Sequence, residues 1–170
     1  REQPLLANGF QTTGNLFSIQ KELTRDIEKT IRHEVEKYRL HFENSTEGLI
    51  TRWPEEYSLY GWLVSMKSGG ALSPHMHENG WLSGSVYINV PTKIKADDGS
   101  LVVCIDDDRS LEDKSKNPKK IIGVKTGNLV LFPSSLFHYT IPFESEEERI
   151  VLAFDVIPKL ENFSHDRSAG

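Results

Sequence analysis

Apolar residues fall into two regimes along this chain. Between Leu16 and Phe42, Leu23, Ile27, Ile31, Val35 and Tyr38 recur at intervals of four and three, which predicts one amphipathic helix. Asn15 or Ser18 is placed to cap its start. The polar stretch Glu43 to Gly48 ends it. From there to Pro158 the apolar positions come in short runs: Tyr57–Met66, Ala71–Met76, Leu82–Val90, Ser100–Ile105, Ile121–Val124, Leu129–Phe132, His138–Ile141 and Arg149–Ile157. Lys67-Ser68-Gly69-Gly70, Asp97-Asp98-Gly99 and Thr126-Gly127-Asn128 read as turns between them. Short strands after one helix predict a mainly β, antiparallel sandwich or barrel with the helix packed outside. The boundaries expected are a lead-in and helix over 1–50, a β core over 51–158 and a frayed tail over 159–170, all one domain. Asp106 to Lys120 is charged and reads as an exposed loop.

Composition narrows the class. The 170 residues suit one domain with a core of its own, and 37% apolar content suits a globular protein. The net charge of −5, with no basic patch interleaved with aromatics, argues against a nucleic-acid partner. No apolar run is long enough for a membrane helix, and no signal peptide is read at the start. The single cysteine, Cys104, excludes an internal disulfide framework and favours a reducing, cytoplasmic setting. Cys104 itself reads as a small buried apolar residue. The chain begins with Arg1 rather than Met, as expected of a processed product or a domain cut from something longer.

Candidate chemistry centres on Ser73-Pro74-His75-Met76-His77-Glu78. On an extended segment, side chains two apart share a face, so His75 and His77 would converge on one ion. Non-haem iron sites on β scaffolds commonly present three ligands and leave the remaining positions open. His138, after Phe132-Pro133-Ser134, is the candidate third. An imidazole in so apolar a setting needs a partner, and a hydrogen-bonded structural role competes with the metal role. Arg149 opens the last strand on a face shared with Val151, Ala153 and Asp155. It is either the end of a hairpin offsetting Glu144 to Glu148 or a buried clamp for a carboxylate. Ser83, Ser85 and Tyr87 share another face. They are core-lining residues or hydroxyl donors to a bound carboxylate. Trp81, beside the histidine pair, is a candidate substrate contact, whereas Trp62 reads as core. His33, His41 and His165 lack partners at ligand spacing. Asp106-Asp107-Asp108 lacks the glycine of a calcium loop.

Taken in order, His75-Met76-His77, Ser83-Gly84-Ser85-Val86-Tyr87, Phe132-Pro133-Ser134, His138 and Arg149 resemble the 2-oxoglutarate- and Fe(II)-dependent oxygenase superfamily. The likeness is above all to its bacterial and phage branch. Pro74-His75 and the last strand also resemble aspartyl/asparaginyl β-hydroxylases. The resemblance spans about Tyr57 to Pro158 and implies a double-stranded β-helix, a jelly-roll or cupin-like barrel. It implies Fe(II) and 2-oxoglutarate as cofactors, with His75, His77 and His138 as metal ligands. Arg149 would hold the distal carboxylate of the co-substrate, with Ser83, Ser85 and Tyr87 nearby.

One position departs from the superfamily pattern. Where most members carry Asp or Glu as the second ligand, this chain has His77. Three arrangements stay open: His77 ligates, Glu78 swings in, or water completes a two-histidine site. The activity implied is hydroxylation of an unactivated C–H bond with release of succinate and CO₂. The expected partners are O₂ and an amino-acid, peptide or small-metabolite substrate. Two rivals stand beside it. One is a cupin-type three-histidine dioxygenase that uses no oxoglutarate. The other is a non-catalytic metal-binding β-barrel.

Overall fold

The computed structural model describes residues 4–107 and 118–159. Most of the charged stretch 106–120, and the tail with His165, therefore lie outside the described residues. In chain order the elements are β1 (Leu6–Gln11), α1 (Leu16–Ile19), α2 (Lys21–His41), α3 (Gly48–Thr51), β2 (Tyr57–His75), β3 (Leu82–Asn89), β4 (Leu101–Cys104), β5 (Lys119–Ile122), β6 (Leu129–Pro133), β7 (Phe137–Thr140) and β8 (Arg149–Pro158).

The strands form one curled antiparallel sheet in the order β5-β4-β7-β2-β8-β3-β6, with β1 also paired to β2. Its two halves meet at β2. The first ten residues of β2, Tyr57 to Met66, pair without a break with Pro158 to Arg149 of β8. The end of β2 pairs instead with β7, Leu72 opposite Thr140 and His75 opposite His138. The change of partner occurs at Lys67 to Gly70, where Gly69 takes φ +74°, a left-handed conformation open to glycine at little steric cost. The sequence reads this stretch as a turn between two strands. In the fold it bends one strand without ending it. The result is a curled, mainly β half-barrel, in line with the mainly β, cupin-like barrel expected.

Alternation along the strands sorts side chains between two faces. On β8, Leu152, Phe154 and Val156 point outward, and on β3 Leu82 and Val86 do the same. They pack against Phe17 of α1 and Ile31 and Val35 of α2, all buried. Each fully buried aliphatic or aromatic side chain contributes roughly 1.5–3 kcal/mol by leaving water. Asn15 caps α1 by accepting from the Phe17 N–H at 3.2 Å. It also ties the helix to β2, donating to the Leu59 carbonyl at 2.9 Å and accepting from the Gly61 N–H at 3.0 Å. The helical stripe begins later than its spacing predicts, because Leu23 is 83% exposed and the buried residue in that turn is Thr24. The inward face carries Val64, Met66, Tyr87, Val103, Phe132 and Val151 in two further clusters. It also carries the polar residues of the site.

β1 falls within the stretch read as a lead-in. Leu6 and Ala7 pair with Leu72 and Ala71, whereas Gly9, Phe10 and Gln11 pair with Met66, Ser65 and Val64. β1 thus spans the bend in β2. The register shifts at Asn8, whose φ of +46° marks a bulge and breaks the two-residue period.

Candidate metal centre and its cavity

His75 closes β2, His138 lies directly opposite on β7, and His77 follows two residues beyond the strand end. One nitrogen from each imidazole lies within 4.8 Å of the others. The ring centroids are 4.2 Å apart for His75 and His138, 4.9 Å for His77 and His138, and 5.1 Å for His75 and His77. His77 is not on an extended segment as expected, because the strand ends at His75, yet its ring still comes beside that of His75. Its backbone is fixed by two hydrogen bonds instead. Its N–H donates to the Ser134 carbonyl at 3.1 Å and its carbonyl accepts from Gly80 at 3.2 Å.

Each imidazole has its Nδ1 engaged. His75 reaches the Ser73 carbonyl at 2.8 Å, His138 the Leu136 carbonyl at 3.3 Å and His77 the Asp155 carboxylate at 2.7 Å. A carbonyl or an ionised carboxylate can only accept, so Nδ1 carries a proton in each ring and Nε2 is the nitrogen left to face an ion. Burial lowers the pKa of His75. Burial, with His75 and His77 adding like charge, lowers that of His138 to about 3. Neutral imidazoles near one another are what a divalent ion needs. The donor set, three ring nitrogens within 4.8 Å of one another, fits a mononuclear transition metal with open positions.

The histidines line a cavity of about 330 Å³ between the two halves of the sheet. Arg149 lines the same cavity and is buried, 3% exposed. Its Nε donates to the Gly99 carbonyl at 3.2 Å, and its guanidinium carbon lies 5.1 Å from the ring centre of Tyr87. Burial lowers its pKa, with Tyr87 opposing. None of its interactions among the described residues is with a carboxylate. The Tyr87 hydroxyl bonds Arg149 and Ser85, and burial raises its pKa, so it stays a neutral phenol. Val64, Met66, Leu101 and Val151 give the cavity apolar walls.

The other candidates separate. Ser85 and Tyr87 line the cavity as their face predicts. Ser83 also lines it, but its hydroxyl is engaged with Asp155 at 2.7 Å and Ser134 at 2.9 Å. Trp81 faces the helices, where its indole donates to the Leu49 carbonyl at 3.0 Å. Trp62 is the tryptophan on the cavity, its ring 5.7 Å from His77. Glu78 is exposed in the turn after His77 and is not part of the histidine cluster. Sequence reasoning gave no role to Asp155 or Ser134. Asp155 shares the inward parity of Arg149, a signal available in the sequence, but its pairing with His77 spans 78 positions.

Fold and site together define a double-stranded β-helix with a three-histidine centre. Residues 60–155, more than half of the chain, match the family described as "Putative 2OG-Fe(II) oxygenase", and the chain belongs to that family. The fold is similar to that of HygX from Streptomyces hygroscopicus, solved with nickel and 2-oxoglutarate bound. Identity is 13%, the TM-score is 0.57, and the likeness covers 94% of this chain and 73% of that one. A prolyl-4-hydroxylase from Pseudomonas putida is 16% identical, with TM-score 0.49 over 75% of this chain. The chain spans 63% of that protein's length. No match was found among curated proteins.

Proposed function

We propose that this oxygenase is a hydroxylase, in which His75, His77 and His138 hold Fe(II) and Arg149 holds the distal carboxylate of 2-oxoglutarate. One observation carries the reading. The cavity that gathers three imidazoles also contains a buried guanidinium for which the described residues supply no carboxylate. A buried charge without a partner is costly, and a dicarboxylate that also reaches the metal would supply one. When bound, the metal and 2-oxoglutarate would supply, with O₂ as the oxidant, an oxidative decarboxylation to succinate and CO₂ in which one oxygen atom enters succinate and the other a substrate C–H bond.

The protein's own part is placement. Nδ1 contacts to Ser73, Asp155 and Leu136 hold the three rings in one orientation. Tyr87 steers the Arg149 fork, and Ser85 in turn holds the Tyr87 hydroxyl. The aliphatic walls limit water around the reacting centre. Trp62, beside His77, is the aromatic surface against which a substrate would lie. The substrate class is an amino-acid side chain, free or in a peptide, or a small metabolite, with O₂ as co-reactant.

The test is anaerobic titration of the protein with Fe(II) and 2-oxoglutarate, followed by admission of O₂. A weak visible charge-transfer band and succinate release are expected. The band should be lost in His138→Ala, and in Arg149→Ala it should require far more 2-oxoglutarate. Oxygen uptake without succinate would point to the cupin-type reaction instead. Absence of both band and uptake in the wild type would leave a non-catalytic barrel.

A further inference from the structure

The three imidazoles are not held alike. His75 and His138 rest on backbone carbonyls, which are neutral. His77 alone rests on a carboxylate. Asp155 is 8% exposed, and its Oδ1 lies 2.7 Å from His77 Nδ1. The same oxygen accepts from the Ser83 hydroxyl at 2.7 Å, and Ser83 is bonded to Ser134 at 2.9 Å. Ser83 and Ser134 are both buried. The Ser83 oxygen also lies 3.2 Å from His77 Nδ1. The only ion pair of Asp155 among the described residues is the one with His77. Among the described residues no acid joins the histidine cluster directly, yet one lies a ring further back.

We propose that Asp155 is a positioning residue that supplies negative charge to the metal centre through His77. It thereby stands in for a carboxylate bound directly. The inference rests on the metal-ligand reading above and adds to it the source of the charge. Two physical effects carry it. Donation from Nδ1–H to a carboxylate fixes the tautomer with Nε2 as donor, and raises the electron density on that nitrogen. The pair is also largely buried, so its charge is weakly screened at the ion. The serines orient the carboxylate. With Ser134 donating to Ser83 and Ser83 to Asp155, the chain of hydroxyls ends on the oxygen that faces His77.

A role in holding the 76–80 turn would also conserve these contacts, so the test must read the metal. Co(II) and Zn(II) affinities are measured by chelator competition without oxoglutarate, in wild type and in Asp155→Asn. A loss of roughly 10- to 100-fold is expected in Asp155→Asn. The same substitution is then made in a His77→Asp background. There the acid is already a direct ligand, so removal of the Asp155 charge should leave affinity unchanged or raise it. Equal losses in both backgrounds would assign Asp155 to folding, and an unchanged affinity in Asp155→Asn would remove its role altogether. Either outcome overturns the proposal. If wild type binds neither ion, the metal reading fails first and takes this one with it.

Should Asp155→Asn fail to fold, the Zn(II)-loaded wild type decides by nitrogen-edited NMR. The His77 Nδ1 proton is expected well downfield of those of His75 and His138. Three equivalent shifts would contradict a carboxylate-held ring.

Discussion

Arg149 is the residue on which the co-substrate assignment can be tested alone. Truncating one partner of a buried, hydrogen-bonded charge pair costs about 2–5 kcal/mol. Arg149→Ala should therefore weaken 2-oxoglutarate binding by that amount in calorimetry while metal affinity stays close to wild type. Arg149→Lys should recover only part of the loss, since an ammonium keeps the charge but not the planar fork. His138 gives a second residue-scale outcome. Its pKa is about 3 in the fold, against 6.5 for an ordinary histidine, because burial and two neighbouring imidazoles oppose the proton. Between those values the unfolded chain binds more protons, so its contribution to stability is whole above about pH 6.5 and shrinks as pH falls toward 3. Melting of the metal-free protein across this window should show Tm falling with pH, and His138→Gln should flatten the slope. His75 and His77 were legible through their two-residue spacing, His138 through its apolar setting, and Arg149 through its place opening the last strand after His138. Asp155 was not, because its meaning lies in its pairing with His77, and that depends on which strands are neighbours.

At the scale of elements, β3 and β8 show how closely the two faces are fitted. A Cβ on Gly84 would run into the fully buried ring of Phe154. Gly84→Ala should cost about 1–3 kcal/mol in urea denaturation through overpacking. Strands with regular alternation were readable to within a residue or two, β3 and β8 among them. β1 was not, since the bulge at Asn8 breaks its period over only six residues. Nor was the continuity of β2, because Gly69-Gly70 has the composition of a turn whether the chain reverses there or only bends. Removal of residues 1–11 gives an outcome specific to this element. It uncovers the edge of β2 on both sides of the bend, and unpaired edges invite association. The truncated protein is expected to elute as larger species in size-exclusion chromatography, with lower solubility than the full chain.

For the whole molecule, β2 links the two halves of the sheet, and the cavity lies where it changes partner. Two of the three imidazoles face each other across the β2–β7 pair, and Arg149 lies opposite Met66 at the far end of the bend. Ligands that bind only this assembled arrangement stabilise it by mass action. Saturating Zn(II) together with 2-oxoglutarate should therefore raise Tm by more than Zn(II) alone, and the additional rise should disappear in Arg149→Ala. Fold class was accessible from sequence because a mainly β pattern with an external helix has few ways to bury both faces. The cavity was not, since its walls come from segments as distant as Val64 and Val151.

The three-imidazole donor set has one further consequence, for which ions reach this site in a cell. With no carboxylate of the described residues among its donors, it offers little to hard cations such as Mg²⁺ or Ca²⁺, which prefer oxygen ligands. Among first-row ions, nitrogen donors follow the order in which Ni²⁺, Cu²⁺ and Zn²⁺ outrank Fe²⁺. Occupancy would then be decided by which metals are freely available rather than by discrimination within the pocket. Protein purified from rich medium is expected to carry zinc or nickel by elemental analysis, and to gain iron-dependent turnover only after it is stripped and reloaded under anaerobic conditions.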